Sequence, residues 1–277
     1  MKRFIILTAT LLITLAMHAQ IRVLGIGNSF SQDALEQNIA EIAKSEGVPM
    51  IIANLYIGGC SIDRHVMNIK GNRPDYRYTK FDVNGKREIR QNTSLESVIN
   101  EEPWDYISVQ QVSGQSGIYE SYAKLGELIA WIRAKAPTAK ILFHQTWAYA
   151  PDSKHGDFPR YESSQEKMHA AICNAVDRVV AENDIDGIIP TGPAIQHLRK
   201  KTGNYDLTRD GYHLSLGMGR YAAACTWFAR LTGRNVKKVK YYPDGKEIGT
   251  EAITEKEAKL CRKSAEKLAK KYARRKK

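Results

Sequence analysis

This sequence predicts an α/β domain: a doubly wound five-stranded parallel sheet, covered by helices on both faces, with an inserted β-hairpin. Three observations carry the prediction. Short apolar runs bounded by turn formers recur at 21–26, 50–57, 104–110, 140–146 and 186–190. Such runs read as strands buried on both faces. Segments with apolar residues at helical spacing separate them, and this alternation argues for parallel strands with helical crossovers. One stretch, 71–91, breaks the rhythm: it is polar and aromatic and carries Asn84-Gly85, a strong hairpin signal.

Taken in order, the first strand is Ile21-Arg22-Val23-Leu24-Gly25-Ile26. A helix is expected over 34–46, with Leu35, Ile39, Ile42 and Ala43 on one face, ended by Gly47-Val48-Pro49. The second strand, 50–57, closes on Gly58-Gly59, and a helix over 61–70 precedes the hairpin. Ser94 caps a helix that stops before Pro103, and 104–110 is the third strand. A helix over 118–136, a fourth strand over 140–146, a long helix over 161–183 and a short fifth strand at 186–190 follow. Helices are expected at 193–200 and 216–231, an edge strand at 236–242, and a terminal helix capped by Thr254. The strand order expected is 2-1-3-4-5, which puts a switch point beside the first strand, where ligands of such sheets bind.

Residues 1–19 are set apart from this core. Lys2 and Arg3 precede an apolar run from Phe4 to Leu15, and small residues follow to Ala19. That order is a secretory signal peptide, too short for a comfortable membrane span. Export to the periplasm or the extracellular space is expected, with cleavage after Ala16 or after Ala19, the latter leaving Gln20 as the mature terminus. Cys60, Cys173, Cys225 and Cys261 match no metal motif, and the two on helical patterns, Cys173 and Cys225, are expected to be buried rather than paired.

The formal net charge of +12 is concentrated at the ends. Residues 259–277 hold ten Lys or Arg against Glu266 alone, a charge of +9, while Lys2 and Arg3 supply +2 and leave +1 for the body. The body, 20–253, is one domain, and 254–277 is a basic helix or tail. This charge suits a solvated helix end, or attraction to acidic glycans or an anionic surface. With no aromatic interleaving and no nucleic-acid module, nucleic acid is set aside.

Candidate chemistry begins at the end of the first strand, in Gly25-Ile26-Gly27-Asn28-Ser29-Phe30-Ser31. A dinucleotide fingerprint lacks its third glycine, since Phe30 stands there. A G-x-S-x-G elbow lacks its last glycine, since Ser31 stands there. Two readings remain open from these residues: Ser29 as a nucleophile, or as a helix cap. Late in the chain, Asp210-Gly211-Tyr212-His213 offers a base and its orienting acid. Three residues apart on a turn, the carboxylate can fold back to Nδ1 and leave Nε2 for Ser29. Oxyanion donors would come from the N–H groups of Ser29 and Gly59 and from the amide of Gln110 or Gln111. His144 and Trp147 end the fourth strand. Trp147 is either a sugar-stacking surface or a core residue beside a satisfied histidine. His65, His155, His169 and His197 lack a matching acid and serine and are assigned nothing.

In order and spacing, Gly27-Asn28-Ser29, Gly59, Gln110 (or Gln111) and Asp210 with His213 resemble the four signature positions of the SGNH (GDSL-like) hydrolases. The resemblance spans about 21–231 and is strongest to a largely uncharacterised bacterial branch that opens on a GNSF-type motif. It implies a flavodoxin-like sheet of the SGNH-hydrolase type and a serine esterase that needs no metal or organic cofactor. Acylated glycans or small esters are the substrates it implies. Two positions depart from the pattern. Asn28 replaces the usual aspartate, and Val109-Gln110-Gln111-Val112 replaces a Gly-x-Asn-Asp motif, so a glutamine must supply the amide. The altered third motif also suits a non-catalytic glycan-binding protein on the same fold, whereas the intact Ser29, Asp210 and His213 oppose that reading.

Overall fold

The computed structural model describes residues 20–203 and 207–275. The segment read as a signal peptide, 1–19, lies outside the described residues. Five strands form the parallel sheet: β1 (Ile21–Gly27), β2 (Met50–Tyr56), β5 (Tyr106–Val109), β6 (Lys140–His144) and β7 (Gly187–Ile189). The hairpin of β3 (Tyr76–Phe81) and β4 (Arg87–Thr93) joins them through an antiparallel pairing of β3 with β2. The sheet therefore has seven strands in the order β4-β3-β2-β1-β5-β6-β7. Its parallel part has the expected order, with β1 flanked by β2 and β5 at the switch point.

The apolar runs are strands because both faces are covered. Val23, Leu24 and Ile26 of β1 are buried, as are Ile52, Ala53 and Leu55 of β2 and Ile107 and Val109 of β5. The hairpin extends this sheet sideways. Its anchor is the buried Glu36, which accepts from Arg77 at 2.7 Å, from Arg87 at 3.3 Å and from the Asn54 amide at 2.8 Å. The Arg77 guanidinium also lies over the Tyr56 ring, 4.3 Å from its centroid.

Several boundaries differ from expectation, each for a local reason. The first helical region is two helices, α1 (Ser29–Leu35) and α2 (Ile39–Ser45), because Asn38 adopts φ 66° between them. After α3 (Ile62–Lys70) and α4 (Leu95–Ile99), the segment after Ile118 makes a 3₁₀ turn before α5 (Leu125–Lys135) begins. Likewise Pro159 sits in a 3₁₀ turn, so the long helix α6 starts only at Gln165 (Gln165–Glu182), capped by Ser164. The edge strand expected at 236–242 is absent. A 3₁₀ turn, Val236–Lys238, stands there instead, its Val236 N–H satisfied by Glu266 rather than by a strand.

Three helices complete that side: α7 (Thr191–Lys201), α8 (Met218–Thr232) and α9 (Glu255–Ala273). The segment read as a basic tail is, over most of its length, this last helix. Thr254 and Glu257 form a reciprocal capping box at its start. Its inner face, with Ala258, Cys261, Ala265, Leu268 and Tyr272, is buried against α7 and α8. All four cysteines are free; Cys225 is buried and Cys173 partly so. Among the described residues no helix is long and apolar enough to cross a membrane.

Candidate active site

Ser29 stands where β1 turns into α1. Asn28 caps that helix, its Oδ1 accepting from the Phe30 N–H at 3.0 Å. Ser29 is the first helical residue, so its own N–H has no intrahelical partner. It is partly exposed, while Asn28, Phe30 and Ser31 on either side are buried. Gly27 allows the tight junction. A Cβ there would lie 2.6 Å from Ser31 Oγ and 3.0 Å from Gln110 Cδ, so only glycine lets the ends of β1 and β5 close up.

The loop bearing the expected base lies on the same sheet edge. Asp210 Oδ2 accepts from His213 Nδ1 at 2.6 Å, and Asp210 Oδ1 accepts from the N–H groups of Tyr212 (3.2 Å) and His213 (2.8 Å). Gly211 supplies the reversal with φ 87°. Partial burial acts to raise the Asp210 carboxyl. The hydrogen bonds from the His213 ring and the two backbone N–H groups outweigh it and hold the carboxyl below its ordinary value.

Three contacts fix this loop against the strand ends. Trp147, just past β6, donates from Nε1 to the Tyr212 carbonyl at 2.7 Å, and the Ala150 N–H donates to the Gly211 carbonyl at 2.8 Å. The Phe30 ring stacks on Trp147 with centroids 4.2 Å apart and lies 6.0 Å from the His213 ring. The residue next to Ser29 therefore packs against the base. Deeper still, Asp33 of α1 is fully buried and binds the far side of the loop. It accepts from Leu214 N at 2.8 Å, from Arg209 at 3.1 Å and from Arg220 at 2.7 and 2.9 Å. In the sequence Asp33 simply precedes the helix expected over 34–46. Its partners lie more than 170 residues away, beyond any local signal.

On the other side of Ser29 a buried hydrogen-bond chain crosses three strand ends. Asn28 Nδ2 donates to the Cys60 carbonyl at 3.0 Å, which ties down the loop carrying Gly59. Gln110 Nε2 donates to Asn28 Oδ1 at 2.7 Å, Gln110 Oε1 pairs with His144 Nδ1 at 2.7 Å, and His144 Nε2 pairs with Thr191 Oγ1 at 3.0 Å. The backbone sets the polarity of this chain. Phe30 N–H and the Cys60 carbonyl fix which end of the Asn28 amide is oxygen. Gln110 must then present its NH₂ to Asn28 and its oxygen to His144, so Nδ1 carries the His144 proton and Nε2 accepts from Thr191. Burial pushes His144 down to about 3, so the ring is neutral, as that arrangement needs.

The structure thus sorts the expected site residues. Ser29, Asp210, His213, Gly59 and Gln110 belong to one edge of the sheet. Gly59 is exposed with φ 62°, on the loop that Asn28 holds. Gln111 points elsewhere: its oxygen accepts from Ile62 N (3.0 Å) and Val112 N (2.8 Å), and its amide donates to Ser121. It tethers loops. His144 and Trp147 are both 0% exposed, so of the two readings left open the core tryptophan beside a satisfied histidine holds, and neither residue is free to bind substrate. Trp147 positions the His213 loop, and His144 orients Gln110. Of the remaining histidines, His65 is buried against Tyr76, its Nδ1 2.8 Å from the phenol oxygen, and burial pushes it down to about 3.

A family model described as "Domain of unknown function (DUF4886)" matches residues 22–267. The chain is 44% identical to a DUF4886 family protein of known crystal structure from Bacteroides uniformis, with a TM-score of 0.87 over 93% of this chain and 97% of that one. A candidate GDSL-like lipase from Parabacteroides merdae matches with a TM-score of 0.51 at 12% identity, over 77% of this chain and 95% of that one. Axe2, an acetylxylan esterase from Geobacillus stearothermophilus, matches with a TM-score of 0.49 at 12% identity, over 77% and 94%. No curated protein matches. The fold is that of the SGNH (GDSL-like) hydrolases, and the most similar of these structures lies in an uncharacterised branch.

Proposed function

We propose that this chain, which belongs to the DUF4886 family, is an exported serine esterase that removes acyl groups, most simply acetyl, from carbohydrate. The observation that carries this reading is the Asp210 carboxylate closing on His213 Nδ1 at 2.6 Å, in a loop packed against the helix that begins with Ser29. An Asp-held imidazole on the edge that carries a strand-end serine is the arrangement acyl transfer needs.

In this mechanism His213 Nε2 takes the Ser29 proton as Ser29 Oγ attacks the ester carbonyl. The N–H groups of Ser29 and Gly59, with the second hydrogen of the Gln110 amide, receive the oxyanion. His213 returns the proton to the leaving alcohol, and water then releases the acyl group by the same route in reverse. Asp210 holds the imidazole in the required tautomer throughout. The secretory pattern of 1–19 supports export.

A second reading, a non-catalytic glycan-binding protein, has one observation in its favour: the Gln110 amide already donates to Asn28. Stopped-flow mixing with p-nitrophenyl acetate separates the two. An esterase gives a burst or steady release of p-nitrophenol that Ser29→Ala abolishes. A binding protein gives release no faster than that variant.

A further inference from the structure

The outer face of α9 is rich in lysine. Past Glu255, its exposed residues are Lys256, Lys259, Lys263, Lys267, Lys270 and Lys271, with Ala273 at the end. Their spacing of three or four places them along one stripe, neighbours about 5–6 Å apart. Two carboxylates of α9 lie beside it: Glu257 is used in the capping box, and Glu266, which accepts from the Val236 N–H, also pairs with Lys270 at 2.6 Å. Lys259, Lys263 and Lys271 make no ion pair among the described residues. A cleft between α6, α7 and α9 adjoins the stripe, lined by Lys200, His197, Lys271 and Arg275, the last paired with Asp177 at 2.7 Å.

The stripe also has a direction. The segment leading into α9 is joined to the catalytic loop, Glu251 N donating to the Leu216 carbonyl at 3.2 Å, three residues after His213. The far end of α9 reaches the opposite sheet edge, where Tyr272 and Arg275 line a cavity with Asp186 and Ile188 of the β7 region. The row of cations from Lys256 to Lys271 therefore spans about 22 Å, from the end joined to the segment after His213 toward the β7 end.

We infer that the α9 stripe binds a linear acidic polysaccharide, one with a carboxylate or sulfate on most of its sugars. This rests on the esterase reading only in making that polymer the carrier of the ester. The charges are closer together than the screening length of about 8 Å at physiological salt, so they act on a polyanion jointly. Other polyanionic surfaces fit less well. A helix that lies on a lipid bilayer turns an apolar face to it, but the apolar face of α9 is buried against α7 and α8, and no exposed large apolar side chain lies on it. Single-stranded nucleic acid is held by exposed aromatic platforms, and the sole aromatic of α9, Tyr272, is buried.

Binding is measured by titrating fluorescently labelled protein with polygalacturonate, dextran sulfate, neutral dextran and phosphatidylglycerol vesicles. The unsubstituted protein and the triple variant Lys259→Gln, Lys263→Gln, Lys271→Gln are compared. Glutamine keeps helix propensity close to that of lysine, and thermal melts check the fold. The expected result is salt-sensitive binding to one or both acidic polymers, none to dextran, and an affinity loss of roughly tenfold or more in the variant. Binding to vesicles alone, equal binding to neutral dextran, full affinity in the triple variant, or no binding at all would each overturn the inference. None of these readouts requires turnover, so a failed esterase assay and a failed stripe are told apart.

Discussion

The amide of Gln110 donates to the side-chain oxygen of Asn28 at 2.7 Å, joining the end of β5 to the end of β1 directly behind Ser29. Asn28 in turn holds the Gly59 loop through the Cys60 carbonyl. One side chain thus sets the position of both non-serine oxyanion donors in the proposed site.

Asn28→Asp tests this arrangement with a near-isosteric change. A carboxylate still accepts from Phe30 N–H and Gln110, but it faces the Cys60 carbonyl with an oxygen where a donor stood. Leaving that buried carbonyl unpaired costs about 1–3 kcal/mol. The melting temperature should fall, and kcat on p-nitrophenyl acetate should drop about tenfold or more as the Gly59 loop shifts. An unchanged kcat would mean that the loop is held by other contacts.

The two glutamines should behave differently. Gln110→Ala should lower kcat by about 10²-fold with little change in KM, the signature of a donor used mainly in the transition state. Gln111→Ala should leave kcat nearly intact and lower stability, because its oxygen and amide hold Ile62, Val112 and Ser121. Urea melts and steady-state kinetics on both variants check the pair.

Asp33 should be among the most costly residues to remove. Asp33→Ala leaves the buried Arg220 without its partner and releases Leu214 from α1. A loss of about 3–5 kcal/mol in unfolding free energy is expected, read from the urea midpoint.

His144 should make stability depend on pH. Its folded-state value, about 3, lies below the ordinary 6.5. Between those values the unfolded chain binds the proton and the folded one does not. Stability from this group is therefore full above about 6.5 and is lost as pH falls toward 3. His144→Gln, which can still donate to Gln110 and accept from Thr191, should flatten the slope by up to about 1.4 kcal/mol per pH unit in that window. Denaturant melts from pH 4 to 7 on both proteins measure it.

Much of this was legible in the chain, and the part that was not has a common cause. Parallel strands buried on both faces leave continuous apolar runs, so the five strands could be read, and Asn84-Gly85 marked the hairpin. Asp210 and His213 are three residues apart, and a turn of that length makes its own contact. The partners of Asp33, Asn28 and His144 are set by tertiary packing across long separations, which no local pattern records. Trp147 shows the other limit. A tryptophan past a strand end is written the same way whether it faces solvent or stacks on Phe30, and only the packing decides. In α9 the apolar stripe at Ala258, Cys261, Ala265 and Leu268 that docks it is interleaved with lysines, so the segment reads as a basic tail.

In the proposed mechanism Ser29 and His213 act as one catalytic unit, and steady-state hydrolysis of p-nitrophenyl acetate by Ser29→Ala, His213→Ala and the double variant measures that coupling. Each single substitution should remove most turnover, and the double should be little worse than either, since groups that act together are not additive. Near-normal turnover by Ser29→Ala would mean that Ser29 is not the nucleophile.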